Sequence, residues 1–482
     1  MSIVGAAALI GYGLALAGLV IYSLHRGWLL FTYRRKCPRS PDRRQWRGPL
    51  PRVTVQLPVY NERFVVERLI DAACALDYPE ERLEVQLLDD STDGTAELAR
   101  QRVAHHAARG RDVRYLRRGS RAGYKAGALA YGLERASGQF VLVLDADFVP
   151  PPKLLRRMLP PFLDPGVGMV QARWAHLNEG KSWLTRTQAL LLDAHFHIEH
   201  GARAAAGLFF NFNGTGGMWR TSCLRDAGGW QADTLTEDLD LSYRAQMRGW
   251  RFEYLPDVVV PGELPEDLDA FKSQQARWAQ GSIQTARKLL PALLKGPWGW
   301  RVKLEAAAHL TAYVPAALTL ALGLTLFPAA VVRLDYGWPL LLFADLFCLV
   351  AAIGPLGFFY AETRRASGRH AWPGVLIDVP RILALGIGLS LSNTRALAAG
   401  LSTTGDAEFV RTPKRGGTRG GYRSRVSRRV AALEWGLTAY IAVAIGYALA
   451  YGLYPSIPFL VLFQFGYAAV AADSLRRPQP VA

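Results

Sequence analysis

The 482-residue sequence predicts an α/β domain on a mostly parallel sheet, joined to a bundle of membrane-spanning α-helices. Three observations carry that expectation. Short apolar runs alternate with helix-like stretches between residues 53 and 147, the order that builds parallel sheets. Uncharged runs long enough to cross a bilayer lie at the N-terminus and beyond residue 305. The formal charge of +17 is concentrated beside those runs. Nine Arg or Lys stand against Asp42 alone from Arg26 to Arg52, and nine against Asp406 and Glu408 from Arg395 to Arg429. Such flanking charge reads as a positive-inside signature in contact with anionic membrane lipid. Nucleic acid is not an expected partner, because no basic and aromatic strip covers the remaining chain.

Ile3 to Leu24 is the first run. It lacks a small-residue cleavage pattern and its positive charges follow it, so it reads as a retained anchor with a cytoplasmic C-terminal end. Val53 to Leu57 reads as a strand ending in Pro58-Val59-Tyr60-Asn61-Glu62, with a helix through Cys74. Val85 to Leu88 is a second strand, ending in Asp89-Asp90-Ser91-Thr92-Asp93, with a helix from Thr95 to about His106. Val113 to Leu116, a helix over 125–136 and Phe140 to Leu144 complete the pattern, the last strand running into Asp145-Ala146-Asp147. In such sheets ligands gather beyond the carboxyl ends of the strands, where Asn61, Asp90, Asp145 and Asp147 all fall.

Asp145 and Asp147, two apart at a strand end, point the same way toward one cation. Oxygen ligands suit Mg²⁺ or Mn²⁺ held together with substrate phosphates. No GxGxxG follows the first strand and no GxxxxGK[ST] occurs, which disfavours a dinucleotide cofactor or a P-loop. Cys37, Cys74, Cys223 and Cys348 are isolated from one another and fit a reducing compartment. His195, His197 and His200 lack a carboxylate or thiol to complete a zinc set; on an α-helix His197 and His200 share a face and His195 lies apart.

Thr234 with Glu237 fits a helix-start box, placing Asp238 in the first turn of a helix over Leu239 to Trp250. An acid there either complements the helix dipole or serves as a general base. Gln274, Arg277 and Trp278 share a helical face, a spacing that suits either a packed indole or a sugar platform beside a phosphate-binding guanidinium. Asn213-Gly214-Thr215-Gly216 reads as a close-approach turn.

Beyond the soluble region, Ala306 to Val332 and Tyr336 to Ala361 read as two spans, and Trp435 to Ala472 as two more broken near Pro455 and Pro458. The run from Gly374 to Asn393 is interrupted by Asp378, Pro380 and Arg381. Laying it along the interface keeps every basic cluster cytoplasmic, giving five spans. The expected organisation is a membrane helix at 1–33, a cytoplasmic catalytic domain at 34–300, a membrane hairpin at 301–372, an interfacial helix and basic loop at 373–429, and a second hairpin with a short tail at 430–482.

Pro58-Val59-Tyr60-Asn61-Glu62, Leu88-Asp89-Asp90-Ser91-Thr92-Asp93, Phe212-Asn213-Gly214-Thr215-Gly216-Gly217, Thr236-Glu237-Asp238 and Gln274-Gln275-Ala276-Arg277-Trp278, in that order, resemble the family-two inverting glycosyltransferases. Within them the sequence is most similar to the cellulose synthase-like mannan and glucomannan synthases. The resemblance implies a Rossmann-like GT-A domain in a multi-pass membrane enzyme that polymerises sugars from a nucleotide sugar, GDP-mannose or UDP-glucose, onto a growing β-linked polysaccharide. A single-sugar transferase to a lipid acceptor is the alternative. It implies that Tyr60, Glu62, Asp89, Asp90 and Lys125 contact the nucleotide sugar, with Asp145 and Asp147 on donor and metal. Asp238 is the implied base beside Thr236 and Glu237, and Gln274, Arg277, Trp278, Asn213, Gly214 and Thr215 line the acceptor and diphosphate end. Phe409, Thr412 and Lys414 match a gating loop, with Arg411 departing from the cellulose synthase pattern.

Overall fold

The computed structural model describes residues 2–37, 44–337, 340–370, 372–402 and 428–474. Helix α1 (Ile3–Lys36) outruns the expected anchor and ends in Arg34, Arg35 and Lys36, cations that suit a helix C-terminus. The α/β region then runs β1 (Val53–Val59), α2 (Val66–Cys74), β2 (Leu83–Asp89), α3 (Thr95–Ala107), β3 (Val113–Arg117), α4 (Tyr124–Leu133), β4 (Phe140–Val143), α5 (Leu154–Met158), β5 (Val167–His176), α6 (Trp183–Asp193), a π-helix (Ala194–His200), α7 (Gly201–Ala205), β6 (Gly217–Arg220), α8 (Thr221–Asp226), α9 (Glu237–Met247), β7 (Arg251–Gly262) and α10 (Leu268–Lys295). Helices α11 (Trp300–Leu310), α12 (Val314–Asp335), α13 (Leu340–Ala366), α14 (Trp372–Ser402), α15 (Arg428–Ala450) and α16 (Ile457–Ser474) follow.

The sheet has seven strands in the order β3-β2-β1-β4-β6-β5-β7. Strands β3, β2, β1 and β4 are parallel, β6 is antiparallel to β4 and β5, and β5 and β7 are parallel. Six of the seven therefore run the same way and present their carboxyl ends on one rim. Apolar residues fill both faces: Val55, Leu57 and Leu142 pack with α2 and α5 on one side, and Val141, Val143, Phe212 and Trp219 form a second core on the other. Strands β5, β6 and β7 were not among the expected strands. β6 has only four residues, and β7 carries Pro256 and Pro261 with a register shift against β5.

Five helices among the described residues are long and apolar enough to cross a membrane: Ile3–Lys36, Val314–Asp335, Trp372–Ser402, Val430–Ala450 and Tyr454–Ser474. They support a membrane protein. The set differs from the expectation in containing the 372–402 helix and, among the described residues, not the expected span from Tyr336 to Ala361. That helix touches the α/β region along much of its length: Val375 and Val379 pack with Leu190 and Ile198, Leu385 and Leu389 with Leu268 and Phe271, and Arg287 donates to the Gly400 carbonyl at 2.8 Å. Its opposite side meets α16, where Gly388 abuts the Gly466 backbone closely enough that a Cβ would lie 2.5 Å from it. The expected span from Ala306 is divided, because α11 ends at Leu310 and α12 starts afresh at Val314.

A buried ionic network ties the first helix to the α/β region. Glu305 of α11 accepts from Arg203 at 2.7 Å and lies 2.7 Å from His25 of α1, and Glu199 of the π-helix lies 3.5 Å from Arg203. Both carboxylates face a cation, which limits the cost of burying them.

Candidate active site

The strand rim, the N-terminus of α9 and one face of α10 enclose an open cleft of about 1300 Å³, solvent at its mouth included. Tyr60 and Glu62 enter it from the end of β1, where Asn61 takes a positive φ of 57° and its amide group accepts from Thr92 N–H at 2.8 Å. Arg121 stacks 3.5 Å from the centre of the Tyr60 ring, a cation–π contact. Asp90 reaches the cleft from β2, gripped by both arms of Arg118. Asp89 does not line it; its carboxylate accepts from Ser91 N–H at 2.9 Å and from the Tyr115 hydroxyl at 2.6 Å, bracing the turn from below.

Asp145 and Asp147 follow β4 and both line the cleft. Lys125 of α4 lies 2.6 Å from Asp145, donates to the Gly214 carbonyl at 2.9 Å and lies 3.8 Å from Glu237. The Asn213-Gly214-Thr215-Gly216 turn makes this convergence possible. Gly214 and Gly216 have φ of +80° and +65°, a region that favours glycine. A Cβ on Gly214 would approach Asp238 Oδ2 to 3.0 Å. Thr215 stands behind the wall, fully buried, its hydroxyl accepting from Asp145 N–H at 2.9 Å. Asn213 is bonded to His195 Nε2 at 2.8 Å.

Thr236, Glu237 and Asp238 open α9, with Thr236 at the N-cap and no side-chain cap bond. The Thr234 box therefore does not form: α10 draws the segment inward, Gln284 accepting from Leu235 N–H at 3.0 Å and Thr285 lying 3.3 Å from the Thr236 hydroxyl, while the Thr234 hydroxyl is buried without a partner. Gly281 permits this docking, since a Cβ there would meet Thr236 Cγ2 at 2.5 Å and its backbone N at 2.8 Å. Gly281→Ala is expected to destabilise the protein by about 1–3 kcal/mol, as overpacking does, read as a lower unfolding temperature in detergent. Burial, with Glu237 alongside, pushes the Asp238 carboxyl up to about 7 against the opposing pull of Lys125.

Gln274, Arg277 and Trp278 line the cleft from one face of α10, as their spacing requires. Trp278 is only partly buried. Burial lowers the Arg277 pKa, partly offset by Glu237, Asp145 and Asp238, which places its charge among those acids. The three histidines are arranged differently from an α-helical reading. The π-helix completes its turn over about five residues, so His195 and His200 come together with ring centroids 4.3 Å apart. Phe409, Thr412 and Lys414 lie outside the described residues. Arg118, Arg121, Trp174 and His176 were not singled out in advance; the cleft or its acids collect them through contacts between distant segments.

The family described as "Glycosyltransferase like family 2" matches residues 51–281, the span that contains the whole cleft. A rice protein (Oryza sativa subsp. japonica), probable glucomannan 4-beta-mannosyltransferase 9, is 33% identical over 442 residues, covering 86% of this chain and 79% of that protein. The chain belongs to the family 2 glycosyltransferases. Glucomannan 4-beta-mannosyltransferase 2 of Arabidopsis thaliana is 41% identical over 284 residues, 58% of this chain and 53% of that relative; the chain thus spans about half the length of several curated glycosyltransferase relatives it matches. Among solved structures, the mannosyltransferase PcManGT from Pyrobaculum calidifontis, in complex with GDP-Man and Mn²⁺, superposes with a TM-score of 0.53 at 23% identity, covering 76% of this chain and 99% of that one, a likeness of fold.

Proposed function

We propose that this family 2 glycosyltransferase is an inverting enzyme that transfers a hexose from a nucleotide sugar to the growing end of a β-linked polysaccharide and passes the product across the membrane. The observation that carries this reading is the gathering of Asp238, Asp145, Asp147, Lys125, Arg277 and Trp278 on one cleft. The relatives' names favour a mannosyl donor and a mannan or glucomannan product, and the PcManGT complex favours GDP-mannose as that donor; UDP-glucose, the other donor the family resemblance implies, comes second.

In this mechanism Asp238 takes the proton of the acceptor hydroxyl as that oxygen attacks the anomeric carbon. The hydroxyl is too weak an acid to ionise unaided near neutrality. Arg277 and Lys125 offset the charge that develops on the departing diphosphate. Trp278 holds the acceptor sugar in line, a gain from orientation. Tyr60, Glu62 and Asp90 hold the nucleoside, and a single displacement on an α-linked donor yields a β-linkage.

The carboxylates fit a hard divalent cation. Asp145 and Asp147 supply two oxygen donors on the cleft, a set that suits Mg²⁺ or Mn²⁺ bound largely through substrate phosphates. When bound, the ion screens charge on the diphosphate.

The base has to be ionised to accept a proton, and its carboxyl is raised to about 7. The rate is therefore expected to fall about tenfold per pH unit below that value and to level above it, measured as kcat/KM against pH. We place the catalytic domain on the cytoplasmic side, with the basic C-terminal end of α1 facing it, and α14 along the interface between that domain and the membrane helices, in keeping with its contacts with α6 and α10.

The test is purified full-length protein in lipid nanodiscs given labelled GDP-mannose or UDP-glucose with Mg²⁺ or Mn²⁺. The expected product is a β-mannanase- or β-glucanase-sensitive polymer with release of nucleoside diphosphate. A lipid-extractable short glycoside as sole product would overturn the polymer reading, and no transfer from any donor would overturn the activity.

A further inference from the structure

His176 closes β5 and lines the cleft with a side chain only 5% exposed. Its Nε2 lies 3.2 Å from Asp193 Oδ1. The other carboxylate oxygen of Asp193 accepts from the Ser367 hydroxyl at 3.0 Å and lies 3.4 Å from Arg369, both on the connection between α13 and α14. Asp193 remains an anion in this setting: burial alone would raise its pKa, but the His176 hydrogen bond and Arg369 hold it below the usual carboxylate range. With Nε2 engaged by Asp193, Nδ1 is the ring nitrogen left to meet a further polar group. Among the described residues that nitrogen has no hydrogen-bond partner, and it is not one of the sealed polar atoms.

We propose that His176, oriented by Asp193, is a saccharide-binding residue whose Nδ1 hydrogen-bonds a hydroxyl of the acceptor chain. The position favours the acceptor over the nucleobase. Tyr60 and Asp90 follow β1 and β2, whereas β5 lies three places from β1 in the sheet, roughly 14 Å at the usual strand spacing. That distance leaves room for a nucleoside diphosphate between them and puts His176 beyond the donor. Beside it Trp174 presents an aromatic ring, held at 5.0 Å from Phe148 and by its own N–H to the Thr215 carbonyl at 3.1 Å. A fixed hydrogen-bonding nitrogen next to an indole suits a ring with one apolar face and hydroxyl edges. Asp193 is a positioning residue here, and through Ser367 and Arg369 it ties the acceptor wall to the apolar helices.

This inference rests on the glycosyltransferase reading and is tested separately from it. Binding of β-1,4-mannotetraose to the full-length protein, with GDP and Mn²⁺ present, is measured by calorimetry. His176→Phe, close in shape but unable to hydrogen-bond, is expected to raise the mannotetraose Kd about five- to tenfold, the range of one lost hydrogen bond, with the GDP Kd changed less than about twofold. His176→Gln recovers most of the affinity, and Asp193→Asn falls between. Equal mannotetraose affinity in wild type and His176→Phe, no binding of the sugar by wild type, or a parallel loss of GDP affinity each overturns the proposal. Transfer from GDP-mannose by wild type in the same preparation keeps the broader reading intact in those cases; its absence with every donor sinks that reading instead.

Discussion

Asp238→Asn is expected to lower kcat by about 10²–10⁴-fold, the usual contribution of a positioned general base, while the Kd for GDP stays within about twofold. The substitution is nearly isosteric. It keeps an oxygen able to accept the Leu239 N–H that now reaches Oδ1 at 2.8 Å, so α9 retains its first turn. What it removes is the capacity to take a proton. It also removes a negative charge from a site where Asp238, Glu237 and Asp145 surround Lys125, so stability is expected to hold or rise. Single-turnover transfer alongside nucleotide titration and thermal unfolding separates these effects. Unchanged turnover would mean that Asp238 only complements the helix dipole.

Chelation of divalent cations is expected to reduce transfer by at least about 10²-fold, with recovery on adding Mn²⁺ or Mg²⁺, in line with the loss of one preorganised charge partner at a leaving group. Asp147→Ala should reproduce the loss without recovery. Asp147 is 4% exposed in the short turn that follows β4, so its carboxylate is held by packing at the strand rim. Nucleotide affinity is the diagnostic: in this account Asp147→Ala weakens GDP binding, whereas Asp238→Asn does not. Full activity in the presence of excess chelator would remove the cation from the account.

Strands β1, β2 and β4 and the acids at their ends were legible because largely apolar runs of four to seven residues, bounded by turn residues, carry their own signal. The same held for Gln274, Arg277 and Trp278, where helical spacing alone puts three side chains on one face. Legibility stopped where geometry depends on a second segment. Thr234 was read as a cap from local spacing, yet Gln284 and Gly281 of α10 set the helix start at Thr236. Asp89 and Asp90 are equivalent in sequence, and only the Tyr115 and Arg118 contacts turn one under the sheet and the other into the cleft. The histidines followed an α-helical period, while the chain adopts a π-helix that pairs His195 with His200. Asp193 and Ser367 are 174 residues apart, a contact no local pattern encodes.

The most direct test is a structure of the full-length protein with GDP and Mn²⁺. The account predicts the ion bound by Asp147 or Asp145, the diphosphate within reach of Arg277 and Lys125, and guanine beside Tyr60. Nucleotide seated away from this cleft, or Asp238 turned from the space beyond the β-phosphate, would contradict it.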